Sequence, residues 1–527
     1  MTRAVSLASP FELGGTFRLE CPPIAFPADR CEVERTLIGP QFLAGGFNPD
    51  RWEIRLYNEH SHGTLEDEAL LAWPDVLVLT GLITSLDRMR QLTAYVRTRH
   101  PAVVVVGGGH VVRAFPKFCA TFMDYACLGD VEEIQDVIRD AFGPSFASEE
   151  LFPRFDLNDW IGIVGYVESS RYCNFKCSFC TLTAEGRPYT TVGQDHLRRQ
   201  FQALGKKRIV TFVDNNFYGS DRKSFHERVE CAGEMRDAGL IKGWGALVTN
   251  DFFFKKDNVE RAVRAGCKTL FTGVESFDRA WTAKHNKRQN NVGSQVQIIR
   301  DCLEAGIAFI YGLMLDLSTR SIRDIHGELD FVMAQPDITL PCYLSMPIPI
   351  PRTPYFYDRL DDGLILPSTK IRDLDSTTVC LQTHDPLPEA ARFMADLQTL
   401  RGYRSRVARH SLQFARKYRK TLTGDGMAIA LASAALIVAP VVATLPRKWG
   451  RRSAPRTFVS TTEPLDRSYT PQFQIDRRYE SYFEPTMLTD AQGRVGEDLA
   501  EDINEGRPQV TAVGRLPVVT SLAGSKT

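Results

Sequence analysis

Short apolar runs alternate with helix-like segments along the first 150 residues of the chain. The runs that read as strands are 53–57, 74–82, 102–109 and 124–129, and segments with helical spacing lie between them at 86–100 and 131–142. Nearly continuous Val, Leu and Ile are typical of strands buried on both faces, and their alternation with helices predicts a parallel sheet. We therefore predict a doubly wound, Rossmann-like α/β domain over residues 1–150. Its ligand crevice should lie at the carboxyl ends of the strands.

The same alternation repeats six times farther along the chain. The predicted strands are 161–168, 208–213, 243–248, 268–274, 307–315 and 342–348, with helical patterns between them. Six β/α units are fewer than the eight of a closed barrel. A partial (β/α)6 barrel is therefore predicted over residues 155–365, so that the whole chain belongs to the α/β class.

The pattern changes after the predicted barrel. We predict a partly helical extension over residues 366–455 and an irregular tail over 456–527. Residues 401–424 carry many cations and no Asp or Glu, and an uncharged apolar run follows at 427–445. Such a run, at about 1.5 Å per residue, is roughly as long as a bilayer is thick.

Two interpretations of the apolar run remain open. Cations flank both of its ends and Pro440 lies inside it, which favours an interfacial element held to anionic lipid through residues 401–452 over a membrane span. The other interpretation is a buried helix that covers the barrel mouth. Either one predicts apolar surface near the active site and hence a hydrophobic substrate.

Composition limits the partners and the compartment. The 527 residues contain 64 Lys and Arg and 64 Asp and Glu, so no net field draws the protein to nucleic acid, and no nucleic-acid partner is expected. The twelve cysteines are scattered rather than arranged as a disulfide framework, and no signal peptide is visible. We expect a cytoplasmic protein, in contact with the inner face of the membrane if the apolar run is interfacial.

Only one group of cysteines is clustered. Cys173, Cys177 and Cys180 follow the first barrel strand with the spacing C-x-x-x-C-x-x-C. Three thiolates at this spacing can bind one [4Fe-4S] cluster, each through a different iron, which leaves the fourth iron without a protein ligand. The alternative is a zinc site in a metal-binding protein without catalysis, but zinc favours four ligands in paired C-x-x-C units and no second pair follows.

This motif, with Phe179 directly before the last cysteine, resembles the radical S-adenosylmethionine (SAM) superfamily. The resemblance implies that SAM chelates the open iron and is cleaved to a 5′-deoxyadenosyl radical, with electrons from a donor such as flavodoxin or ferredoxin. It also implies a set of SAM-binding residues on the loops after the second and fourth barrel strands, in VDNNF and GVES. These are Phe179, Asp214, Asn215, Asn216, Glu275 and Ser276. The alternative for Asp214 and Asn215 is that they cap the helix beginning near Ser224.

Two further segments resemble the class of this superfamily that carries an N-terminal cobalamin-binding domain. Residues 346–360 are similar to its PxPGTP segment, although this chain has Arg352 where glycine is usual. Residues 103–133 resemble its cobalamin-binding half. The residues implied in cobalamin binding are Thr84, Ser85, Gly107, Gly108 and Gly109. No D-x-H-x-x-G motif is present, so His110 is interpreted as a rim residue rather than a cobalt ligand. A nucleotide site or an empty domain are the alternatives.

The resemblance to hopanoid methylases and to the anaerobic magnesium-protoporphyrin monomethyl ester cyclase implies the reaction. We expect cobalamin-dependent C-methylation of a lipid or tetrapyrrole-like substrate. Radical cyclisation, hydroxylation or rearrangement without methyl transfer is the alternative. Cys342, at the start of the sixth barrel strand, is interpreted either as a reactive thiol near the substrate or as an ordinary buried cysteine.

Overall fold

The computed structural model describes eight stretches of the chain. They are residues 2–8, 38–59, 64–157, 164–290, 293–398, 401–432, 459–460 and 469–507. Among them are two parallel sheets, each with helices packed against it. This α/β architecture is the predicted fold class.

The N-terminal sheet has five parallel strands in the order β2-β1-β3-β4-β5. They are β1 (Thr2–Ala8), β2 (Trp52–Asn58), β3 (Val76–Thr80), β4 (Val104–Gly108) and β5 (Tyr125–Ala126). Strands β2 to β5 confirm the predicted runs, because each is an apolar stretch flanked by turn residues. The sequence analysis did not predict β1, yet β1 pairs with both β2 and β3. The chain thus reverses its order at β1, as doubly wound sheets do.

The helices of this half lie between the strands. They are Ile38–Ala44, Glu68–Leu71, Leu86–Arg99, His110–Ala114, Pro116–Ala120 and Glu133–Phe142. The long helix Leu86–Arg99 packs its buried residues on one face of the sheet. Phe47, Trp52 and Ile138 help to fill the opposite face.

The second sheet has six parallel strands in simple sequential order. They are β6 (Val164–Val167), β9 (Lys207–Phe212), β10 (Ile241–Leu247), β11 (Cys267–Glu275), β12 (Ala308–Met314) and β13 (Tyr343–Ser345). All six predicted strands are present, and neighbours in sequence are neighbours in the sheet, as expected for a partial barrel. A short antiparallel pair, β7 (Ser170–Arg171) with β8 (Thr190–Thr191), frames the loop between them.

Helices follow the barrel strands along the chain. They are Thr181–Glu185, Gln194–Leu204, Arg222–Asp237, Lys256–Arg264, Arg279–Lys284, Gln295–Glu304, Ile322–Met333 and Pro354–Asp361. Farther along come Leu387–Gln398, Arg404–Tyr418, Gly424–Ala432 and Ala500–Glu505. The barrel core includes Trp244, Leu270 and Tyr311, which are fully buried.

The described part of the C-terminal tail is folded onto the N-terminal half. Phe483, Leu499 and Ile503 join the hydrophobic cluster on the face of the sheet covered by Leu86–Arg99. Asp87 accepts hydrogen bonds from the backbone N–H of Thr486 at 3.0 Å and from its hydroxyl at 2.6 Å. The tail has little regular structure, but hydrogen bonds hold it to residues that lie more than 380 positions earlier in the chain.

The described part of the apolar run lies at the wrong end of the barrel for a substrate surface. Helix Gly424–Ala432 contacts β11 and β12, Thr421 approaches Gly306 just before β12, and Asp425 pairs with Arg208 near the start of β9 at 2.6 Å. These are the amino ends of the strands. The expectation that the run brings apolar surface to the active site is therefore wrong for residues 427–432; residues 433–445 lie outside the described part.

In the stretches that the structure describes, none of the helices combines the length and the apolar character that spanning a bilayer requires.

The first prediction concerns the contact between the C-terminal tail and the N-terminal half. Asp502 is buried, and its carboxylate accepts hydrogen bonds from the backbone N–H groups of Lys117 and Phe118 at 3.0 and 2.9 Å. Asp502→Ala leaves both donors of this helix start without a partner, so we expect a loss of about 1–3 kcal/mol in the free energy of unfolding. Urea unfolding followed by circular dichroism measures it. The exposed Asp498→Ala is the control, and equal stability of the two variants would contradict the assignment.

Candidate functional site

The three clustered cysteines lie in a loop at the carboxyl end of the barrel. We call residues 172–189, between β7 and β8, the cysteine loop. Cys173, Cys177 and Cys180 are free thiols and only partly exposed. Burial raises the pKa of Cys173, and it raises the pKa of Cys180 to about 11. Binding to iron would remove these protons, since a coordinating thiol is deprotonated by the metal.

Each of the three sulfurs has an N–H donor beside it. The backbone N–H of Phe175 donates to Cys173 Sγ at 3.5 Å, and Gln289 Nε2 donates to Cys177 Sγ at 3.6 Å. The backbone at Leu182 and Thr183, in the first turn of helix Thr181–Glu185, donates to the sulfur of Cys180. Such donors stabilise anionic sulfur, as the thiolates of an iron–sulfur cluster require.

The three thiols are a donor set that fits a [4Fe-4S] cluster, which binds each thiolate through a different iron. Within the described ranges, no three His, Cys, Asp or Glu side chains are close enough to share one metal ion.

The loop after β9 holds the cysteine loop in place. Asp214 is fully buried; its Oδ1 accepts from Ser169 N at 2.8 Å, and its Oδ2 accepts from the hydroxyls of Ser169 and Ser170 at 2.5 and 2.6 Å. Burial raises the pKa of Asp214, and these hydrogen bonds oppose the rise. Asn215 Oδ1 accepts from Tyr172 N at 3.2 Å. The structure thus turns both side chains to the start of the cysteine loop.

The neighbouring amide completes this contact. Asn216 Nδ2 donates to Asn174 Oδ1 at 2.8 Å, and Asn216 also lies beside the Cys173 sulfur. The alternative that Asp214 and Asn215 cap the next helix is wrong, because the N-cap of Arg222–Asp237 is Asp221.

The carboxyl end of β11 presents a buried carboxylate. Glu275 has a left-handed backbone with φ of 61°, and its Oε1 pairs with Lys287 Nζ. A Cβ on Gly273 would lie 2.3 Å from Glu275 Oε1, so a larger residue there would displace this carboxylate. Glu275 Oε2 is buried and, among the residues that the structure describes, has no hydrogen-bond partner. A ribose hydroxyl or an ammonium group of SAM is a donor of the kind that this oxygen lacks.

Ser276 faces a different environment from Glu275. Its hydroxyl donates to Glu328 Oε1 at 2.6 Å, and Arg320 bridges Ser276 and Glu328. The buried ion pair between Arg320 and Glu328 holds Ser276, and Ser276 thereby fixes the turn that carries Glu275.

Phe179 packs into a wall beside the last cysteine. Its ring stacks on Trp281 with centroids 6.3 Å apart and contacts His285 at 5.9 Å. Lys287 Nζ lies 5.8 Å from the centre of the same ring. The aromatic residue of the motif thus joins the cysteine loop to the chain that follows β11.

The sequence analysis missed the segment that supports the cysteine loop on this side. We call residues 285–290 the anchor turn. His285 O accepts from Ser178 N at 3.3 Å, and Asn286 Nδ2 donates to the carbonyl of Lys176 at 2.7 Å. The polar sequence HNKRQN reads as an ordinary loop, and only its packing in three dimensions reveals its contacts.

The N-terminal crevice lies at the carboxyl ends of β3 and β4. Thr84 and Ser85 have buried hydroxyl oxygens for which the described residues supply no hydrogen-bond partner. Gly109 has φ of 90°, and an added Cβ would lie 3.0 Å from the Gly81 carbonyl. At Gly108, a Cβ would meet only Cys127, at 3.8 Å. Unsatisfied hydroxyls beside open backbone fit a flat, amide-rimmed ligand such as cobalamin.

Gly107 has another role. A Cβ there would lie 2.0 Å from the sulfur of Met123. This glycine therefore makes room for a core side chain, and its place among the residues implied in cobalamin binding stays a prediction.

A buried ion network joins the crevice to the cysteine loop. Glu185, at the end of the helix that starts after Cys180, lies 2.7 Å from His110 Nδ1 and 2.7 Å from Arg113 NH1. Both partners follow Gly109 closely in the chain. Although burial opposes it, the hydrogen bond and charge of His110 and the charge of Arg113 hold the pKa of Glu185 below its ordinary value. His110 is engaged with this carboxylate, in keeping with its interpretation as a rim residue.

The network extends to the loop after β5. Arg113 NH2 donates to Gly129 O at 2.5 Å and to Asp130 Oδ1 at 3.1 Å. Asp130 also accepts from the Tyr172 hydroxyl and pairs with Arg187 at 3.3 Å. Tyr172 and Arg187 stand at the two ends of the cysteine loop, so this loop rests directly on the crevice of the N-terminal half.

Arg352 takes the place of the usual glycine by keeping its backbone conformation. It has φ of 71°, in the left-handed region that favours glycine. Its Nε donates to the carbonyl of Ala114 at 3.1 Å. Because this carbonyl belongs to the chain that follows the crevice, Arg352 makes a second connection between the two halves.

Cys342 is an ordinary core residue in this structure. It is buried at the start of β13 with its backbone N–H bonded to Tyr311, and burial raises the pKa of its thiol well above the usual range. A thiol held neutral in this way is a poor nucleophile.

Residues 167–331 match the radical SAM superfamily. Bacteriochlorophyllide d C-8(2)-methyltransferase of Chlorobaculum tepidum is 23% identical over 358 residues, which are 60% of this chain and 74% of the relative. Bacteriochlorophyllide d C-12(1)-methyltransferase of the same organism is 29% identical over 203 residues, 37% of this chain and 42% of the relative.

Two solved structures share the fold. TsrM from Kitasatospora setae, a radical SAM methyltransferase with cobalamin and a [4Fe-4S] cluster bound, has a TM-score of 0.54 at 13% identity over 84% of this chain and 100% of TsrM. OxsB, a cobalamin-dependent SAM radical enzyme with aqua-cobalamin bound, has a TM-score of 0.54 at 14% identity over 84% of this chain and 80% of OxsB.

The second prediction concerns the pH dependence of stability that the ion network around Glu185 produces. A carboxylate whose pKa is lowered in the folded protein contributes stability above its unfolded pKa, near 4.5, and loses it as the pH falls through the folded value. Glu185→Gln should therefore lower the melting temperature at neutral pH, and the difference from wild type should shrink below pH 4.5. Calorimetry of cluster-free protein across this pH range measures it. Glu149→Gln, at an exposed site, is the control; a difference independent of pH would contradict the assignment.

Proposed function

We propose that the protein is a cobalamin-dependent radical SAM enzyme that methylates carbon, since residues 167–331 match the radical SAM superfamily. The observation that carries the proposal is the joining of two cofactor sites. The cysteine loop and the crevice with its unpartnered hydroxyls share one ion network centred on Glu185. A methyl group held at one site is thereby available to a substrate activated at the other.

The residues of the barrel have separate roles in this proposal. Cys173, Cys177 and Cys180 hold the cluster, and Glu275 binds the nucleoside end of SAM through its unpartnered oxygen. Asp214, Asn215 and Asn216 orient the cysteine loop and reach SAM only through it. When bound, the cluster and SAM supply a 5′-deoxyadenosyl radical and cobalamin supplies the methyl group.

The residues around the cluster exclude water. Phe179, Trp281 and Tyr355 pack around His285 beside the cysteine loop. A radical that abstracts hydrogen from an unactivated carbon has to be kept from solvent, and this wall serves that purpose on the side of the anchor turn.

We propose a large apolar ring of the tetrapyrrole class as the substrate. Both curated relatives are named for methyl transfer to bacteriochlorophyllide d. The apolar run no longer supports a lipid substrate, since its described part lies at the amino ends of the strands. A reduced flavodoxin or ferredoxin is the proposed electron donor.

The third prediction concerns methyl transfer. The protein is loaded anaerobically with iron, sulfide and cobalamin, reduced, and incubated with a magnesium chlorin and SAM carrying a trideuterated methyl group. We expect a product heavier by that methyl group, together with equal amounts of 5′-deoxyadenosine and S-adenosylhomocysteine, as measured by mass spectrometry. Deoxyadenosine with an unmethylated, cyclised or hydroxylated product would contradict methylation and favour the alternative radical reactions.

Cysteine variants are the control for the same assay. Alanine at position 173, 177 or 180 should abolish iron binding and deoxyadenosine formation together. Cys231→Ala, which removes a buried thiol of helix Arg222–Asp237, should keep both. Iron loading that survives all three cluster variants would contradict the assigned ligands.

We also propose peripheral contact with anionic lipid through residues 401–452. On helix Arg404–Tyr418, Val407 and Phe414 face the barrel while Arg409 and Arg416 are exposed, and Leu412 between them is 53% exposed. The fourth prediction is co-sedimentation with phosphatidylglycerol vesicles but not with phosphatidylcholine vesicles, reduced by R409E/R416E. Equal recovery with both vesicle types would contradict it.

A further inference from the structure

We infer that Gln289 is a positioning residue that tunes the reduction of the cluster through Cys177 and also contacts SAM. The inference rests on the proposed function and adds to it a residue that the motif does not contain. It starts from the anchor turn, which contacts three consecutive residues of the cysteine loop. Asn286 contacts Lys176, Gln289 contacts Cys177 and His285 contacts Ser178.

The Gln289 amide is buried and only half satisfied. The residue is 4% exposed. Its Nε2 donates to Cys177 Sγ at 3.6 Å, whereas no described residue donates to its Oε1. An unpaired buried acceptor is unfavourable, and a ligand that donates to Gln289 Oε1 would remove that cost.

The anchor turn is rigid enough to position this amide. Asn290 Nδ2 donates to the carbonyls of Gly273 and Val274, each at 2.8 Å. Lys287, in the same turn, pairs with Glu275. The turn is therefore fixed to the end of β11, and the unpartnered oxygens of Gln289 and Glu275 belong to one rigid unit. SAM offers an ammonium group and ribose hydroxyls as donors to such a pair.

The donor on Cys177 has an electrostatic consequence. A reduced cluster carries one more negative charge than the oxidised cluster, so an N–H donor to a ligand sulfur stabilises the reduced form more. Removing the donor should make the cluster harder to reduce. We expect the ratio of reduced to oxidised cluster at a fixed potential to fall several-fold; a tenfold fall corresponds to about 59 mV for one electron.

Two variants separate the two halves of the amide. Gln289→Leu removes both the donor and the acceptor in a side chain of similar size, so we expect a more negative midpoint potential and weaker SAM binding. Gln289→Glu removes the donor but keeps an acceptor, so the potential should fall while SAM binding is retained. Gln135→Leu is the matched control, because Gln135 is a partly buried glutamine whose Nε2 donates to a backbone carbonyl in the N-terminal half.

The measurements do not depend on turnover. Iron and sulfide content gives the loading, an EPR-monitored redox titration without SAM gives the midpoint potential, and equilibrium dialysis with SAM gives its affinity. Wild-type potential and SAM affinity in a fully loaded Gln289→Leu protein would overturn the inference, as would loss of cluster from both Gln289 variants, which would make the amide a scaffold. A wild-type protein that binds no cluster would instead overturn the proposed function.

Discussion

The carboxylate of Glu185 lies buried between His110 and Arg113, and the position of the cysteine loop on the N-terminal crevice depends on it. A buried carboxylate is costly unless it is paired and hydrogen-bonded, and its partners, His110 and Arg113, come from the other half of the chain. Removing Glu185, or removing Arg113, would leave an uncompensated charge in the interior. These contacts therefore hold the loop that carries the three thiols against the N-terminal crevice.

This constraint explains several features that otherwise look unrelated. Asp130 forms ion pairs with Arg113, on the crevice side, and with Arg187 of the cysteine loop. It also accepts a hydrogen bond from the hydroxyl of Tyr172, in the same loop. Arg352 keeps a left-handed backbone while its guanidinium donates across the same boundary. The C-terminal tail returns to the N-terminal sheet and covers one of its faces. The two halves of the chain are thus joined by contacts from the cysteine loop, from Arg352 and from the C-terminal tail.

The sequence predicted the elements that repeat and missed those that depend on tertiary contacts. The barrel strands were recognisable because a continuous apolar run between two helical segments is typical of a buried parallel strand, and the thiols were recognisable because their spacing is specific. Strand β1 mixes polar and apolar residues, and its place in the centre of a sheet follows only from its neighbours. Within the motifs, only the structure shows that a Cβ on Gly107 would meet Met123 and that the Ser276 hydroxyl bonds Glu328. Glu185 and Arg113 lie 72 residues apart, and no local pattern connects them.

Anomalous diffraction from crystals of the loaded protein, measured at the iron and cobalt absorption edges, would locate both metals. We expect an iron cluster held by Cys173, Cys177 and Cys180, and cobalt beside Gly108 on the side of the cysteine loop. A single tetrahedral ion at the thiols, or cobalt bound away from the cysteine loop, would contradict the claim that the two halves build one active site.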